Sequence, residues 1–411
     1  MSDRHNDRVD LDQFAALRTP AGSAALDRAA ELVGGDPLAA ASALRAAGVP
    51  AGLAAAALTQ AELRHRAVPK FGPAASRMFF TRAGLEQATR AGVAERRAAR
   101  LRAAGVRVLA DLGCGLGADA IAAARAGIRV YGVEADPLTA ALAAANAEAA
   151  GVADRFTVRP GDATRFDVQA HRVDAVFCDP ARRRTGTGRR GFHPADYSPS
   201  WDFLLDLARR VPCAVFKVAP GIEHAVLPTG AEAEWVSVHG DLVEATVWAG
   251  PLAAVPRRAT RLTAAASGWA VDELTGTGTA RPPVGPVRRY LYDPDGAVVR
   301  AGLVAEFAAT VDGSLADPKI AYVYADTARA TPFARCLEVV DALPFSLKRL
   351  RAALRERGVG RVEILKRGSA LEPERLRRDL RLHGPESASV VLTRVADAPT
   401  VLLCRPVPTS G

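Results

Sequence analysis

"VLADLGCGLGADAI", residues 108–121, decides how the rest of the chain is read. A short apolar run ends in Asp111, and Gly113, Gly115 and Gly117 follow at alternate positions before an alanine-rich helical stretch. Glycines at a strand-to-helix junction let backbone approach a ligand closely, and the helix beyond offers unpaired N–H groups. Downstream, "IRVYGVEA" reads as a strand and "DPLTAALAAANAEAAG" as a helix. "RFTVRPGDA" and "RVDAVFCDP" are strands, "SPSWDFLLDLARRV" a helix and "CAVFKVAPG" a strand. Apolar strands alternating with helices predict an α/β fold, a doubly wound Rossmann-like parallel sheet over residues 106–250. The strand pair in "AEWVSVHGDLVEATVWAG" adds an antiparallel edge.

Length, 411 residues, is more than one ordinary core accommodates. Residues 1–105 carry helical spacing in "SAALDRAAELV", "DPLAAASALRAAG" and "AGLAAAALTQAELRHRA", with Ser, Asp or Pro at starts and Gly or Pro at stops. A helical N-terminal domain is expected there. Residues 251–285 are turn-rich and read as a linker or loose hairpin. From 286 to 411, "LKRLRAALRERG", "RVEILKRG", "PERLRRDLRLHG" and "SVVLTRV" predict a small α+β domain.

Around the glycine loop, Glu134 stands at the end of the second strand, where a carboxylate can accept both ribose hydroxyls of a nucleoside cofactor. Asp162 follows the third strand, where an acid can hold an adenine amino group. NAD(P) is the competing ligand, but its G-x-G-x-x-G fingerprint is absent, since Ala118 and Asp119 follow the last glycine. The D-x-G-x-G-x-G opening is instead the signature of S-adenosylmethionine enzymes. A bare glycine turn in a sheet that binds nothing is the bland alternative.

With "LEQAT" (residues 85–89), "CDPARR" (178–183), "KVAPG" (217–221), "YLYDPDGAVVRAGL" (290–303) and "GVGRVEILKRG" (358–368), the chain resembles the class I S-adenosylmethionine-dependent methyltransferases that carry a C-terminal THUMP-like domain. The resemblance spans roughly residues 70–406. It implies S-adenosylmethionine as cofactor, and RNA as substrate class, because THUMP domains bind RNA.

The fourth strand ends in "VFCDPARRRTGTGRRGFHP", residues 176–194. Ligands of doubly wound sheets sit at the carboxyl ends of the strands, which puts Asp179 and Pro180 beside the transferable methyl. The Asp179 carboxylate and the Pro180 carbonyl can accept hydrogen bonds from a base's amine and orient its nitrogen. The motif resembles the (D/N)PP(Y/F) loop of amino-methylating enzymes, with Ala181 for the second proline and Arg182 where an aromatic would stack. Arg182 can stack by its guanidinium plane, or Phe192, Tyr197 or Trp201 could supply the ring. "DPAR" also resembles the loop of uracil-C5 methyltransferases, yet "KVAPG" lacks their cysteine and Cys178 should face away from the site. Arg183, Arg184, Arg189 and Arg190, loosened by glycines, suit phosphate contacts, or else form a solvated loop. Lys217 could touch substrate or carboxylate, or be merely solvated. Glu86 and Gln87 close over the cofactor or lie on a helix surface.

Net charge is +9, and residues 343–381 hold twelve basic and five acidic residues, a local net of +7 that leaves +2 for the remainder. Such concentration marks either a polyanion-binding face or a solvated one. Lys348, Arg351 and Arg355 fall at helical spacing, and Arg361, Lys366 and Arg367 flank a following strand. Arg355, Arg361, Lys366 and Arg367 are the expected RNA contacts there. Five cysteines without CxxC spacing and seven unclustered histidines argue against a metal or disulfide framework and for a reducing cytoplasm. No apolar run reaches membrane-spanning length, and the polar N-terminus resembles neither a secretory signal nor a transit peptide. The expected function is methylation of an RNA base, at nitrogen. The rivals are a methyltransferase of a protein or small metabolite, and a non-catalytic RNA-binding protein.

Overall fold

The computed structural model describes residues 10–182, 197–266 and 268–407. They form two compact units. The first runs to Val218 and adds Ile222–Thr229 and Val247–Ala253; the second takes Ala219–Gly221, Gly230–Thr246 and the chain from Ala254 onward.

The first unit opens with α1 (Leu11–Leu17), α2 (Pro20–Glu31), α3 (Pro37–Ala46), α4 (Ala51–Phe71), α5 (Arg82–Gln87) and α6 (Ala91–Ala103). Asp10, Thr19 and Asp36 start the first three by accepting backbone N–H groups of the first turn, and Pro20 and Pro37 take the first helical position, where no N–H is needed. The extended segment between α4 and α5 is clamped from two sides. Gln60 pairs with both backbone groups of Phe80, at 2.6 and 3.0 Å, and Asn146 does the same for Phe79, at 3.1 and 2.7 Å. Both amides are fully buried, so each leaves no backbone group of its partner unsatisfied.

Then come β1 (Val108–Leu112), α7 (Ala118–Arg125), β2 (Arg129–Glu134), α8 (Pro137–Ala149), β3 (Phe156–Pro160), β4 (Ala175–Cys178), β5 (Ala181–Arg182), β6 (Tyr197–Ser198), α9 (Trp201–Arg210) and β7 (Cys213–Val218). Five strands pair in parallel in the order β7-β4-β1-β2-β3. The order reverses between β1 and β4, which opens a crevice at their carboxyl ends. One core joins Leu63, Phe71, Phe80 and Leu85 of the helical segment to Leu116 of the glycine loop and Leu142 of α8. At Gly84 an added Cβ would stand 2.9 Å from the Leu116 side chain, so only glycine lets α5 lie this close to the loop. β5 and β6 form a separate antiparallel ladder, with Ala181 opposite Ser198 and Arg182 opposite Tyr197. It closes the ends of the arginine loop, whose Arg183, Arg184, Arg189, Arg190 and Phe192 lie outside the described residues.

The second unit holds β8 (Glu232–Val238), β9 (Asp241–Ala249, whose last three residues fall in the first unit), β10 (Arg257–Ala265) and β11 (Gly268–Gly276). The stretch read above as a linker or loose hairpin is therefore paired: β10 runs antiparallel to β11 and parallel to β8. Its anchor is Glu232, fully buried, which accepts the Ala254 amide at 2.9 Å and the Arg258 guanidinium at 2.8 Å. A buried carboxylate stays ionised only when so compensated. Its many small and turn-prone residues hid this pairing.

The chain continues with β12 (Tyr290–Pro294), α10 (Gly296–Ala301), α11 (Val304–Thr310), β13 (Ser314–Leu315), β14 (Val323–Ala325), β15 (Ala334–Pro344), α12 (Leu347–Glu356), β16 (Val359–Lys366), α13 (Pro373–Leu380), β17 (Glu386–Val395) and β18 (Ala398–Pro406). Seven strands order as β13-β14-β12-β15-β18-β17-β16. Strand alternation sorts the core: Val390, Leu392, Val401 and Leu403 pack with Leu350 and Leu354 of α12 and Leu376 and Leu380 of α13. Val391 and Leu402 face the other side with Leu291, Tyr322 and Leu337.

Candidate active site

Register builds the crevice. Asp111 in β1 lies opposite Phe177 in β4, and Leu112 opposite Cys178, so the glycine loop and the Asp179–Pro180 turn leave adjacent strands together. The Gly113 and Cys114 amides both donate to the Val133 carbonyl of β2, at 2.9 and 3.1 Å, which draws the loop toward Glu134. Glu134 then accepts the Gly115 amide at 2.9 Å and the Asp136 amide at 3.0 Å. Gly117, at φ +84°, is the left-handed residue before α7, and a Cβ there would meet the Phe156 ring at 2.9 Å. Asp162 is exposed after β3. Its carboxylate takes the Thr164 amide at 2.9 Å and hydroxyl at 2.8 Å, and these bonds hold its pKa below the ordinary carboxylate value.

Asp111 is the unusual group. It is 1% exposed, and neither carboxylate oxygen has a hydrogen-bond partner among the described residues. Burial pushes its pKa well above the ordinary carboxylate value, and the charges of Asp119, Asp179 and Glu134 push the same way, with Arg97 opposing. Arg97 is itself buried, ion-paired with Asp119 and stacked over Phe177 at 4.5 Å. The crevice is thus electronegative. That favours a ligand bearing a positive sulfonium and ammonium, and disfavours the pyrophosphate of NAD(P).

At the end of β4 the Lys217 ammonium donates to the Asp179 carboxylate at 2.6 Å, and a longer 3.4 Å bond reaches the Thr89 hydroxyl. Lys217 therefore does touch a carboxylate. Its side chain is 16% exposed and that of Asp179 is 35%, so the pair opens to solvent from the acid's end. Pro180 is buried. Tyr197 and Trp201 are buried against each other, with centroids 6.2 Å apart, so neither presents a free ring face to a base. Cys178 is fully buried, and burial raises its thiol pKa well above the ordinary value, which makes it a poor nucleophile. Glu86 and Gln87 lie exposed on α5. Sequence reasoning missed Lys70, whose ammonium binds the end of α5, and the lysine in "VPKFGP" carried no motif that could have announced it.

The C-terminal cations are less free than their spacing suggests. Arg351 and Arg355 donate to the Asp379 and Arg381 carbonyls at the end of α13, the latter at 3.2 Å, filling acceptors that a helix terminus leaves open. Lys366 pairs with Glu372 at 2.9 Å, and Arg361 bonds the Ser387 hydroxyl at 3.2 Å. Arg367 is partly buried, paired with Asp293 at 2.7 Å and over the Tyr322 ring, so it serves the domain's own packing. Lys348, Arg349 and Arg378 are exposed, with no ion pair among the described residues. Among those residues no cluster of His, Cys, Asp and Glu could hold a metal, and no helix is long and apolar enough to cross a membrane.

A glycine-rich turn, an acid at the end of β2 and an electronegative crevice at the switch point together define a class I methyltransferase that uses S-adenosylmethionine. Comparison with known proteins agrees. A methyltransferase domain family matches residues 109–183, a THUMP domain-like family 334–406, and a domain of unknown function 10–67. An uncharacterized S-adenosylmethionine-dependent methyltransferase of Mycobacterium tuberculosis, present in two strains, is 39% identical over 362 residues, covering 84% of this chain and 95% of the relative. A crystal structure of a protein from Porphyromonas gingivalis W83 assigned as a methyltransferase matches 97% of this chain and all of its own, at TM-score 0.73 and 22% identity, which shows the shared fold. The chain belongs to the S-adenosylmethionine-dependent methyltransferases with a C-terminal THUMP-like domain, and S-adenosylmethionine is its cofactor.

Proposed function

We propose that the protein methylates a base nitrogen in RNA, in the cytoplasm. The observation that carries the reading is the Asp179 carboxylate at the end of β4, set by Lys217 at 2.6 Å, with its own carbonyl 3.6 Å from where a Cβ on Gly113 would stand. An acceptor-orienting carboxylate thus adjoins the glycine loop. S-adenosylmethionine supplies an electrophilic methyl on a positively charged sulfur. Asp111, with Gly113, Gly115 and Gly117, would hold its amino acid end, Glu134 its ribose and Asp162 its adenine. Asp179 and the Pro180 carbonyl accept hydrogen bonds from the base's amine and aim the nitrogen lone pair along the line of transfer. Arg182 stacks on the base, and Arg183 and Arg184 take neighbouring phosphates.

Support for RNA comes from the THUMP-like match and from exposed cations in the same domain, including Arg355 and Arg361. It is an analogy of domains. Mass spectrometry of RNA nucleosides from wild-type and deletion cells tests it: one methylated nucleoside should vanish in the deletion. Identical nucleoside profiles would remove RNA as the substrate. A second reading, a small-metabolite or protein acceptor, is favoured by the internal pairing of Arg351, Lys366 and Arg367. It requires that C-terminal cation variants transfer methyl at the wild-type rate.

A further inference from the structure

Three short segments distant in sequence meet behind the acceptor carboxylate. α5 is only six residues long, and its last turn leaves carbonyls without helical partners. Lys70, near the end of α4, fills them: its ammonium donates to the carbonyls of Leu85 at 2.6 Å, Glu86 at 2.8 Å and Ala88 at 3.0 Å. An ammonium has three hydrogens, and all three are engaged, so Lys70 has none left for a substrate. The next residue, Thr89, is buried and carries the hydroxyl 3.4 Å from the Lys217 ammonium, which in turn bonds Asp179.

We propose that Lys70 is a positioning residue for methyl transfer: by tying the carbonyl end of α5 it holds Thr89 against Lys217 and thereby sets the Asp179 carboxylate. The proposal rests on the reading of Asp179 as the acceptor-orienting group. It also gives "LEQAT" a role that neither cofactor contact nor plain helix surface supplies, as the strap whose end the lysine fixes.

Charge on Lys70 is what the strap depends on. The groups facing it are Lys217 from β7, Arg90 at the start of α6 and Glu86 on α5. Burial lowers its pKa to about 8, with the Lys217 and Arg90 charges acting the same way and Glu86 opposing. Above that pH a neutral amine keeps two hydrogens and turns a lone pair toward the third carbonyl, so the strap loosens. The direction is fixed: transfer should fall as pH rises through about 8.

The test uses the full chain, S-adenosylmethionine with a labelled methyl, and RNA extracted from cells lacking the protein. Lys70→Met should transfer roughly ten- to a hundredfold more slowly at neutral pH, since ångström-scale misplacement costs about that much. Its residual rate should not fall through pH 8, and its affinity for S-adenosylhomocysteine should match wild type. Lys70→Arg, charged at every accessible pH, should likewise lose the alkaline fall. Amide exchange over residues 85–90, which needs no acceptor, should show protection lowered by about tenfold in Lys70→Met. Unchanged protection overturns the proposal whatever the acceptor proves to be. So does a wild-type rate in Lys70→Met, or an alkaline fall that persists in either variant. If instead Asp179→Ala itself transfers at the wild-type rate, the reading of Asp179 fails, and with it the reason for the strap.

Discussion

Acids gather at the strand ends of the first unit and cations gather late in the second, and Asp111, at the centre of the first cluster, is treated unlike the cations of the second. Asp111 is buried with no hydrogen-bond partner among the described residues, and Asp119, Asp179 and Glu134 raise its pKa further than burial alone. In the C-terminal domain Arg351 and Arg355 serve α13 carbonyls, Lys366 serves Glu372, Arg367 serves Asp293, and Arg357 pairs with Asp341 at 2.8 Å. A buried carboxyl that the fold leaves without a partner implies a ligand that meets it. Compensated charge holds a fold. A sequence tally of charge cannot tell these apart, because pairing is decided by distance.

The hardest blow to this contrast would come from the carboxylate proposed to orient the acceptor. Asp179→Ala should slow transfer by roughly a hundred- to a thousandfold, the scale for losing one preorganised polar group at a reacting centre. Affinity for S-adenosylhomocysteine, measured by calorimetry, should stay near wild type. A variant that loses cofactor affinity instead would move Asp179 from the acceptor to the cofactor.

Next in size is the ribose contact proposed for Glu134. Glu134→Ala should remove a charge-assisted pair of contacts, about 1.5–3 kcal/mol or roughly tenfold and more in dissociation constant. Unchanged calorimetric affinity would mean that Glu134 serves only the Gly115 and Asp136 amides it already binds.

The cations can be sharpened by pairs of variants. Replacing Lys348, Arg349 and Arg378 by Ala should lower the slope of log affinity for RNA against log salt by about two to three, a little under one per lost phosphate contact. Replacing Arg355, Arg361 and Lys366 should lower it less, because their side chains already have partners in the domain. Equal slopes in both variants and in wild type would make the whole segment a solvated face.

The smallest expected effect concerns Asp111 without cofactor. Its folded pKa is raised, so the native state keeps a proton that the unfolded chain releases above about pH 4. Unfolding then releases a proton, and stability must fall as pH rises past that point. Asp111→Asn should lose this part of the fall in thermal melts of the ligand-free protein, while binding S-adenosylmethionine more weakly. A wild-type pH slope in the variant would mean that Asp111 is ionised in the fold.

Much of the first unit was legible. Apolar strands alternating with helices from Val108 onward, and glycines at 113, 115 and 117, follow local rules of period and backbone freedom, and the structure keeps both. The β10–β11 pair was legible only as a linker or loose hairpin; its place beside β8 was not, since that order comes from Glu232 on another strand meeting Arg258 and the Ala254 amide. Arg367 reads as a phosphate ligand until Asp293, 74 residues away in sequence, is found beside it.

The same division runs through the site. Sequence alone determined the cofactor class, because the turn, its glycines and the acid after β2 lie within one β-α-β stretch whose geometry is set locally. It determined the Asp-Pro turn at the end of β4 for the same reason. Only the tertiary structure decided that Lys217 binds that aspartate, that Thr89 stands behind the lysine and that Lys70 ties down the strap between them. These groups come from α4, the end of α5, β4 and β7. Their meeting depends on strand order and on the packing of Leu85 and Phe71 around Leu116, and no local pattern encodes which side chains such packing brings within hydrogen-bonding reach.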